Sequence, residues 1–424
     1  MKTYNVPEIA KDVFWVGVKD WNRRLFDALI PLPQGTTYNA YLVKGRDKTA
    51  LIDTVNPGFE KELEARISQA GATAGRAGAS AAGVSASGAG AADRSGVSAA
   101  TDITKLDYVV MNHAEPDHAG SIPYVMKAAA GATLVTSEKG AKMAQIYYGV
   151  PEGRIRKVKE GDRIDLGGKT LEFIDAPWLH WPETMFTYLV EEKVLFSCDF
   201  FGSHTAFGFF EDEVPEVVTF AKRYFGEIMM PFRNQGARAL QKVKDRNVNV
   251  IAPSHGPIHR NPAKILEAYS KWTAGKTERQ VIVVYVTMWN STDSMVKAMV
   301  ETLLSEGVEV CLHNLTIADI GDIARDLVDS SAIILGAPTV LAGMHPLGVY
   351  ASYLVKALRP PAKYAAVLSS YGWAGGALKQ VGEILGSTGL EVVGAVEVNG
   401  PAREEDFAKI TELGKQLAAK LPAK

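Results

Sequence analysis

The sequence predicts an α/β protein built in two halves. Between Val13 and Asp199, short β-branched and aromatic runs alternate with turn residues, and several of them end on histidine or carboxylate. From Gln280 onward strand and helix patterns alternate strictly, which builds a parallel sheet covered on both faces. The pattern changes at about residues 258–279. Residues 1–258 are therefore read as a first domain, 259–279 as a helix and linker, and 280–424 as a second domain.

Composition narrows the function classes. At 424 residues the chain is too long for one ordinary domain, and 47% hydrophobic with 22% charged residues is usual for a globular protein with a large core. A formal net charge of −2 supplies no basic footprint for nucleic acid. No stretch approaches the roughly 20 apolar residues that a membrane span needs. The N-terminal "MKTYNVPEIAKDVFWVG" has no apolar core of a secretory signal. Cys198 and Cys311 are the only cysteines, which excludes a disulfide scaffold and any four-thiolate iron site. The expectation is a cytoplasmic enzyme.

The elements follow in order. "VFWVGV", "TYNAYLV" and "TALIDT" read as strands and "FEKELEARIS" as a helix. Residues 71–101 are nearly all Ala, Gly and Ser and cannot bury enough apolar surface to offset their ordering entropy. They are read as a solvent-exposed insertion without chemistry. Further strands are expected at "KLDYVVMNH", "ATLVTS", "RIRKV", "LEFIDA", "TYLV" and "VLFSCD", then a helix at "PAKILEAYSKWTAG". In the second half "VIVVYV", "VEVCLHNL", "AIILGAP", "YAAVLSS" and "LEVVGAVEV" are strands with helices between and after them.

The run "NHAEPDHAGS", Asn112 to Ser121, carries two histidines and two carboxylates. In an extended segment residues two apart point the same way, so His113, Glu115 and Asp117 would share a face, and Pro116 would keep the run extended. His180, Asp199 and His255 stand at later strand ends in Gly- or Pro-bearing loops, where sites are usually placed. Together with His118 these make four imidazoles and three carboxylates. That is too many for one metal of ordinary geometry, but enough for two if one carboxylate bridges. A His-rich cage suits zinc and hydrolysis. Glu115 makes the set harder and more anionic, which favours a redox metal such as iron. His204, His259, His313 and His345 are read as surface groups or groups that support ligands, Glu183 as a support beside the ligands, and Cys198 as a small hydrophobe.

The second half offers a cofactor site. "TMWNST" follows the first strand of the alternating series and opens a helix. Thr287, Asn290, Ser291 and Thr292 supply hydroxyls and an amide, while the helix N-terminus supplies N–H groups, so a phosphate could be held without a lysine. Asn290 can take the left-handed turn conformation. There is no GxxxxGK[ST], which disfavours a nucleotide triphosphatase. The loops Gly336 to Pro346 and Ser369 to Ala377 follow two more strands, on the rim where open α/β sheets bind ligands. With Trp289, Tyr371 and Trp373 they suit a flat aromatic cofactor.

These residues carry a resemblance. "GTTYNAYLV", "LIDT", the H-x-E-x-D-H run and the later His, Asp and His resemble the metallo-β-lactamase-like αββα sandwich of flavodiiron proteins. The second half resembles flavodoxin, a doubly wound parallel sheet. The resemblance covers nearly the whole chain outside the insertion. It implies one iron on His113, Glu115 and His180, another on Asp117, His118 and His255, and Asp199 bridging them. It implies FMN contacts from Thr287, Met288, Trp289, Asn290, Ser291 and Thr292, from Ala337, Pro338 and Thr339, and from Ser370, Tyr371, Gly372 and Trp373. The implied activity is reduction of dioxygen to water and/or nitric oxide to nitrous oxide. The implied donor is external, rubredoxin or a reduced deazaflavin coenzyme. The implied assembly is a head-to-tail homodimer or dimer of dimers that sets the FMN of one chain beside the diiron site of another. The competing reading is a binuclear zinc hydrolase fused to a flavodoxin-like domain.

Overall fold

A computed structural model of the chain describes residues 3–71 and 101–423; residues 72–100, most of the Ala/Gly/Ser-rich stretch, lie outside the described residues. The chain falls into two compact units. One comprises residues 3–24, 32–71, 101–217 and 238–266, the other 25–31, 218–237 and 267–423.

The first unit holds two mixed sheets. The seven-stranded sheet runs in chain order: β1 (Glu8–Ala10), β2 (Val13–Trp15), β3 (Tyr41–Lys44), β4 (Thr49–Ile52), β5 (Tyr108–Val110), β6 (Thr133–Ser137) and β7 (Ile155–Val158). Pairing is antiparallel from β1 to β4 and parallel from β4 to β7. The five-stranded sheet also runs in chain order: β8 (Arg163–Asp165), β9 (Thr170–Asp175), β10 (Met185–Leu189), β11 (Val194–Cys198) and β12 (Val250–Pro253). Strand alternation sorts the cores. Tyr41, Val43, Ala50, Ile52 and Val110 pack against Leu171, Phe173, Leu189, Val194 and Phe196 of the second sheet. Leu42, Leu51 and Val109, one residue out of phase, face a cluster with Leu63 and Ile67 of the helix Glu60–Gln69 and with Ile122, Val125 and Met126 of the helix Ile122–Ala128. Two sheets packed face to face with helices on the outside form the αββα sandwich of the metallo-β-lactamase-like fold.

The second unit holds a six-stranded sheet. Its parallel members are β13 (Glu278–Tyr285), β14 (Glu309–Asn314), β15 (Ser330–Val340), β16 (Tyr364–Tyr371) and β17 (Glu391–Asn399), in the order β14-β13-β15-β16-β17. Gly343–Met344 adds a short strand that pairs with the end of β15. In chain order that is 2-1-3-4-5, the flavodoxin arrangement, whose ligands bind at the carboxyl ends near the switch between β13 and β15. The helices Ser291–Ser305 and Glu404–Lys420 cover one face through Met295, Met299, Leu303, Ile410, Leu413 and Leu417.

One charged cluster braces this unit between β14 and the helix Ile320–Leu327. Asp326 takes His313 Nε2 at 2.8 Å and Arg325 Nε at 2.7 Å. Burial works against its charge, but these two partners outweigh burial and hold the carboxyl down at about 2. A carboxylate depressed on folding contributes stability above its unfolded value and loses it as pH falls through the folded value. After discounting for partial exposure, Asp326→Asn is expected to cost about 1 kcal/mol at pH 7. Urea melts should show that difference shrinking between about pH 4 and pH 2 and vanishing below it.

Candidate functional site

Four loops that follow strands of the first unit converge. Asn112 follows β5 and is fixed by Asp53: its backbone N–H donates to Asp53 Oδ1 at 2.8 Å and its Nδ2 to Oδ2 at 2.9 Å. Burial lifts the Asp53 carboxyl to about 6, against the pull of His118 and the Asn112 bonds. The next residue, His113, is thereby aimed inward and is fully buried. The run does not stay extended as the spacing suggested. Pro116 opens the short helix Pro116–Ala119 with Glu115 as its N-cap. Proline at the first helical position loses no hydrogen bond and has the right φ, so the residue taken as an extender starts a helix. Glu115 consequently stays with His113, while Asp117 and His118 turn to a second group.

The later candidate ligands arrive from the second sheet. His180 follows β9 through a cis Leu179–His180 peptide. Asp199 follows β11, where Cys198 (φ 48°) and Phe201 (φ 73°) sit in the left-handed region. A non-glycine residue there costs about 1 kcal/mol or more, which the surrounding packing must hold. His255 follows β12 and precedes Gly256 (φ 76°), where a Cβ would stand 2.5 Å from the Ser203 carbonyl oxygen.

The result is two groups that meet at one carboxylate. His113, Glu115, His180 and Asp199 bring ligand atoms within 4.8 Å of one another, and so do Asp117, His118 and His255. Glu115 Oε2 lies 3.2 Å from His113 Nε2 and 3.0 Å from His180 Nε2. Asp117 lies 3.3 Å from His118 Nε2 and 3.1 Å from His255 Nε2. Asp199 divides its two oxygens. Oδ1 stands 3.0 Å from His118 Nε2 and 3.5 Å from His255 Nε2, whereas Oδ2 stands 3.6 Å from His113 Nε2 and 3.8 Å from His180 Nε2.

The far sides of two rings are fixed. His113 Nδ1 meets Glu183 Oε1 at 2.7 Å, and the same oxygen accepts the Ala114 N–H at 2.9 Å. His255 Nδ1 meets the Thr37 carbonyl oxygen at 2.6 Å. Each bond places the ring proton on Nδ1 and leaves the Nε2 lone pair facing inward, the usual orientation of a metal ligand. Tyr148 donates to the Ala114 carbonyl at 2.6 Å and ties down the same loop.

The donor set calls for positive charge. Both oxygens of Asp117 and Asp199 and both ring nitrogens of His118 are buried without a directed hydrogen bond among the described residues, despite the short separations. Burial disfavours charge on His118, yet the Asp117 and Asp199 carboxylates push it up to about 9. His113 is likewise raised, burial opposing and Glu115 and Glu183 prevailing. Asp199 is held well below the carboxylate range; burial opposes this, and His118, His113 and His255 outweigh it. Convergent, dehydrated ligand atoms that hold protons in place of a cation fit a pair of metal ions.

The other histidines separate. His204 is buried, its Nδ1 2.9 Å from Thr36 Oγ1 and its ring centroid 4.7 Å from that of His255. His259 is buried with Nε2 3.2 Å from the Phe201 carbonyl, and burial brings it down to about 4. His313 pairs with Asp326, and His345 caps the helix Pro346–Leu358 by accepting the Leu347 N–H at 3.2 Å.

In the second unit a cavity of about 450 Å³ opens at the carboxyl ends of the strands. Thr287, Met288, Trp289, Ser291, Thr292, Pro338, Thr339, Ser370, Tyr371, Gly372 and Trp373 line it, joined by Gly400 and Pro401, which the sequence did not single out. Asn290 is absent from the lining. It stands at φ 64° and makes the turn that starts the helix, without capping it through its side chain. The Ser291 and Thr292 N–H groups therefore remain available to an anion, while the Asp293 N–H donates to Thr287 Oγ1 at 3.4 Å. Ala337 is buried beneath the rim rather than on it. Thr292 Oγ1 and Ser370 Oγ lie 3.1 Å apart across the floor. Trp289 and Trp373 are 86% and 79% exposed, so two aromatic plates flank the opening. The lining holds no lysine or arginine. Neutral donors at a helix N-terminus with aromatic walls suit a phosphate carrying a flat ring.

A metallo-β-lactamase-like domain with a two-centre ligand cage, joined to a flavodoxin-like domain with an aromatic-walled cleft, defines a class of metal- and flavin-dependent oxidoreductases. Residues 94–256 match the family model described as ODP family beta lactamase. The chain is 34% identical to a nitric oxide reductase of Moorella thermoacetica, covering 97% of this chain and 98% of the relative. It is 35% identical to a coenzyme F420H2 oxidase of Methanothermobacter thermautotrophicus, covering 98% of each. Among solved structures, the rubredoxin oxygen:oxidoreductase of Desulfovibrio gigas superimposes with a TM-score of 0.87 at 28% identity, covering 98% of each chain. The chain belongs to the flavodiiron proteins and is an oxidoreductase.

Proposed function

We propose that the chain reduces dioxygen to water and/or nitric oxide to nitrous oxide at a non-haem diiron centre refilled by FMN. The observation that carries this reading is the divided carboxylate of Asp199, with Oδ1 3.0 Å from His118 Nε2 and Oδ2 3.6 Å from His113 Nε2. His113, Glu115 and His180 would hold one iron, Asp117, His118 and His255 the other, and Asp199 would bridge them. Glu115 supports iron over zinc, because an added carboxylate hardens the set and raises its negative charge. When bound, two ferrous ions supply two electrons and reduced FMN two more, enough to take one dioxygen to two waters.

The chain's own residues prepare the centre for that task. Glu183 and the Thr37 carbonyl hold the tautomers of His113 and His255. Asp53 and Tyr148 fix the loop that bears His113 and Glu115. Six of the seven proposed ligand residues are buried, and His180 is the partly exposed one. In the second unit Thr287, Ser291 and Thr292 with the helix N-terminus would take the FMN phosphate. Met288, Trp289, Pro338, Thr339, Ser370, Tyr371, Gly372 and Trp373 would flank the ring, with Asn290 and Ala337 shaping the loops. The first unit would act as the diiron domain and the second as the FMN domain; residues 25–31 and 218–237, expected within 1–258, cluster with the second unit, and the expected linker 259–279 divides at residue 266.

The donor is external: rubredoxin, or a reduced deazaflavin coenzyme of the kind named in the F420H2 oxidase relative. A head-to-tail homodimer or dimer of dimers brings FMN of one chain to the metal site of another. The proposed compartment is the cytoplasm; among the described residues no helix is long and apolar enough to cross a membrane. The test is an anaerobic electrode assay on iron-replete, FMN-loaded protein with reduced rubredoxin, offering dioxygen and nitric oxide separately. Rapid loss of either gas supports the proposal. Loss of neither, with zinc in place of iron, would return the chain to the hydrolase reading.

A further inference from the structure

We propose that Glu397 lowers the reduction potential of the bound flavin by placing an unpaired carboxylate behind the loop beside the ring. This rests on the FMN reading of the cleft. Glu397 lies on β17 in register with Ser369 of β16. β16 ends on Tyr371 and the chain runs on through Gly372 and Trp373, and all three residues line the cleft. The loop then passes over Glu397. A Cβ built on Gly375 would stand 3.0 Å from Glu397 Oε2, and one on Gly376 would stand 2.1 Å from the Ala342 carbonyl oxygen. The two glycines therefore let the backbone lie between the Ala342 carbonyl and the carboxylate with no side chain intervening.

Among the described residues Glu397 makes no ion pair. Its Oε1 is buried and has no hydrogen-bond partner among the described residues. The groove of about 540 Å³ that runs along β17 is lined by Glu397 together with Lys409 and Glu412 of the helix Glu404–Lys420. Lys409 is engaged by Asp406 at 3.2 Å, and Glu412 adds a second negative charge. The cleft lining supplies no cation from the other side.

Reduction of the flavin by an external donor adds two electrons and, near neutral pH, one proton. The ring therefore gains one negative charge. A fixed carboxylate with one oxygen buried opposes that charge and favours the oxidised form. The reduced flavin is thereby the stronger electron donor. Glu397 is a positioning and tuning residue rather than a catalytic one, since the loop separates it from the cleft.

The test is a spectroelectrochemical titration of the FMN in full-length, iron-loaded protein. Glu397→Gln is expected to bind reduced FMN about tenfold more tightly relative to oxidised FMN, an upward shift of about 30 mV in the two-electron potential. Glu397→Lys should move it further the same way. Glu397→Asp should keep the potential low, and Glu391→Gln, at the far end of the strand where Glu391 pairs with Lys420 at 2.9 Å, should leave it unchanged. A purely structural role would weaken both redox forms alike and leave the potential where it was. Full FMN content with an unchanged or lowered potential in the Gln and Lys variants overturns the proposal alone. Failure of the wild-type chain to bind FMN overturns it together with the reading of the cleft.

Discussion

Asp199→Ala is expected to abolish gas consumption while leaving FMN bound. Each of the two ligand groups has its own imidazoles and a carboxylate, so each retains some affinity without Asp199. Only Asp199 faces both, with Oδ1 toward His118 and His255 and Oδ2 toward His113 and His180. If the proposed irons are held there, removing it would delete a negative charge between them and the atoms that would fix their separation. Loss of a group that merely orients a ligand costs roughly 10–100-fold in metal affinity or activity, and loss of a shared ligand should exceed that. The variant should bind less than the full complement of iron, and the iron that remains should lose the magnetic coupling of a bridged pair. Mössbauer spectra and metal content read this directly, while the flavin absorbance of the untouched second unit reports correct folding. Full coupling and full turnover in the variant would show that another group bridges the metals.

Much of this arrangement was legible in the sequence because the ligands are chemically rare and stand at strand ends. The second unit was legible for a different reason. Its strand–helix alternation is strict, and a buried parallel sheet needs continuous apolar runs such as "VIVVYV", which stand out. The left-handed turn at Asn290 was readable because asparagine is among the few residues that tolerate it. What escaped was set by tertiary contacts. Pro116 is compatible both with an extended run and with the first turn of a helix, and only the packed loop selects the helix. Asp53 stood in the quoted "LIDT", yet its role depends on Asn112, which is 59 residues away in the chain. The left-handed Cys198 and Phe201 carry no sequence signal, since neither residue type prefers that conformation. His204 could be placed on the surface or beside a ligand from sequence alone. The structure puts it beside His255, through Thr36 on a neighbouring strand.

Glu183 gives the second large expected effect and separates the two halves of the cage. Its Oε1 accepts from both His113 Nδ1 and the Ala114 N–H, so one oxygen fixes a ring and the backbone beside it. Burial alone would raise the Glu183 carboxyl, but His113 and the Ala114 N–H outweigh burial and hold it below its ordinary value. Glu183→Ala frees the imidazole to rotate and to carry its proton on either nitrogen. The iron assigned to His113, Glu115 and His180 should then bind roughly 10–100-fold more weakly. The group of Asp117, His118 and His255 does not touch Glu183, and His255 keeps its own anchor at the Thr37 carbonyl. Metal titration should therefore show the first site weakened relative to its wild-type affinity and the second left unchanged. Glu183→Gln preserves an accepting oxygen and should recover most of the loss, which distinguishes orientation of His113 from simple damage to the core. Equal weakening of both sites in the alanine variant, unrelieved by glutamine, would mean that Glu183 supports the loop as a whole rather than one ligand.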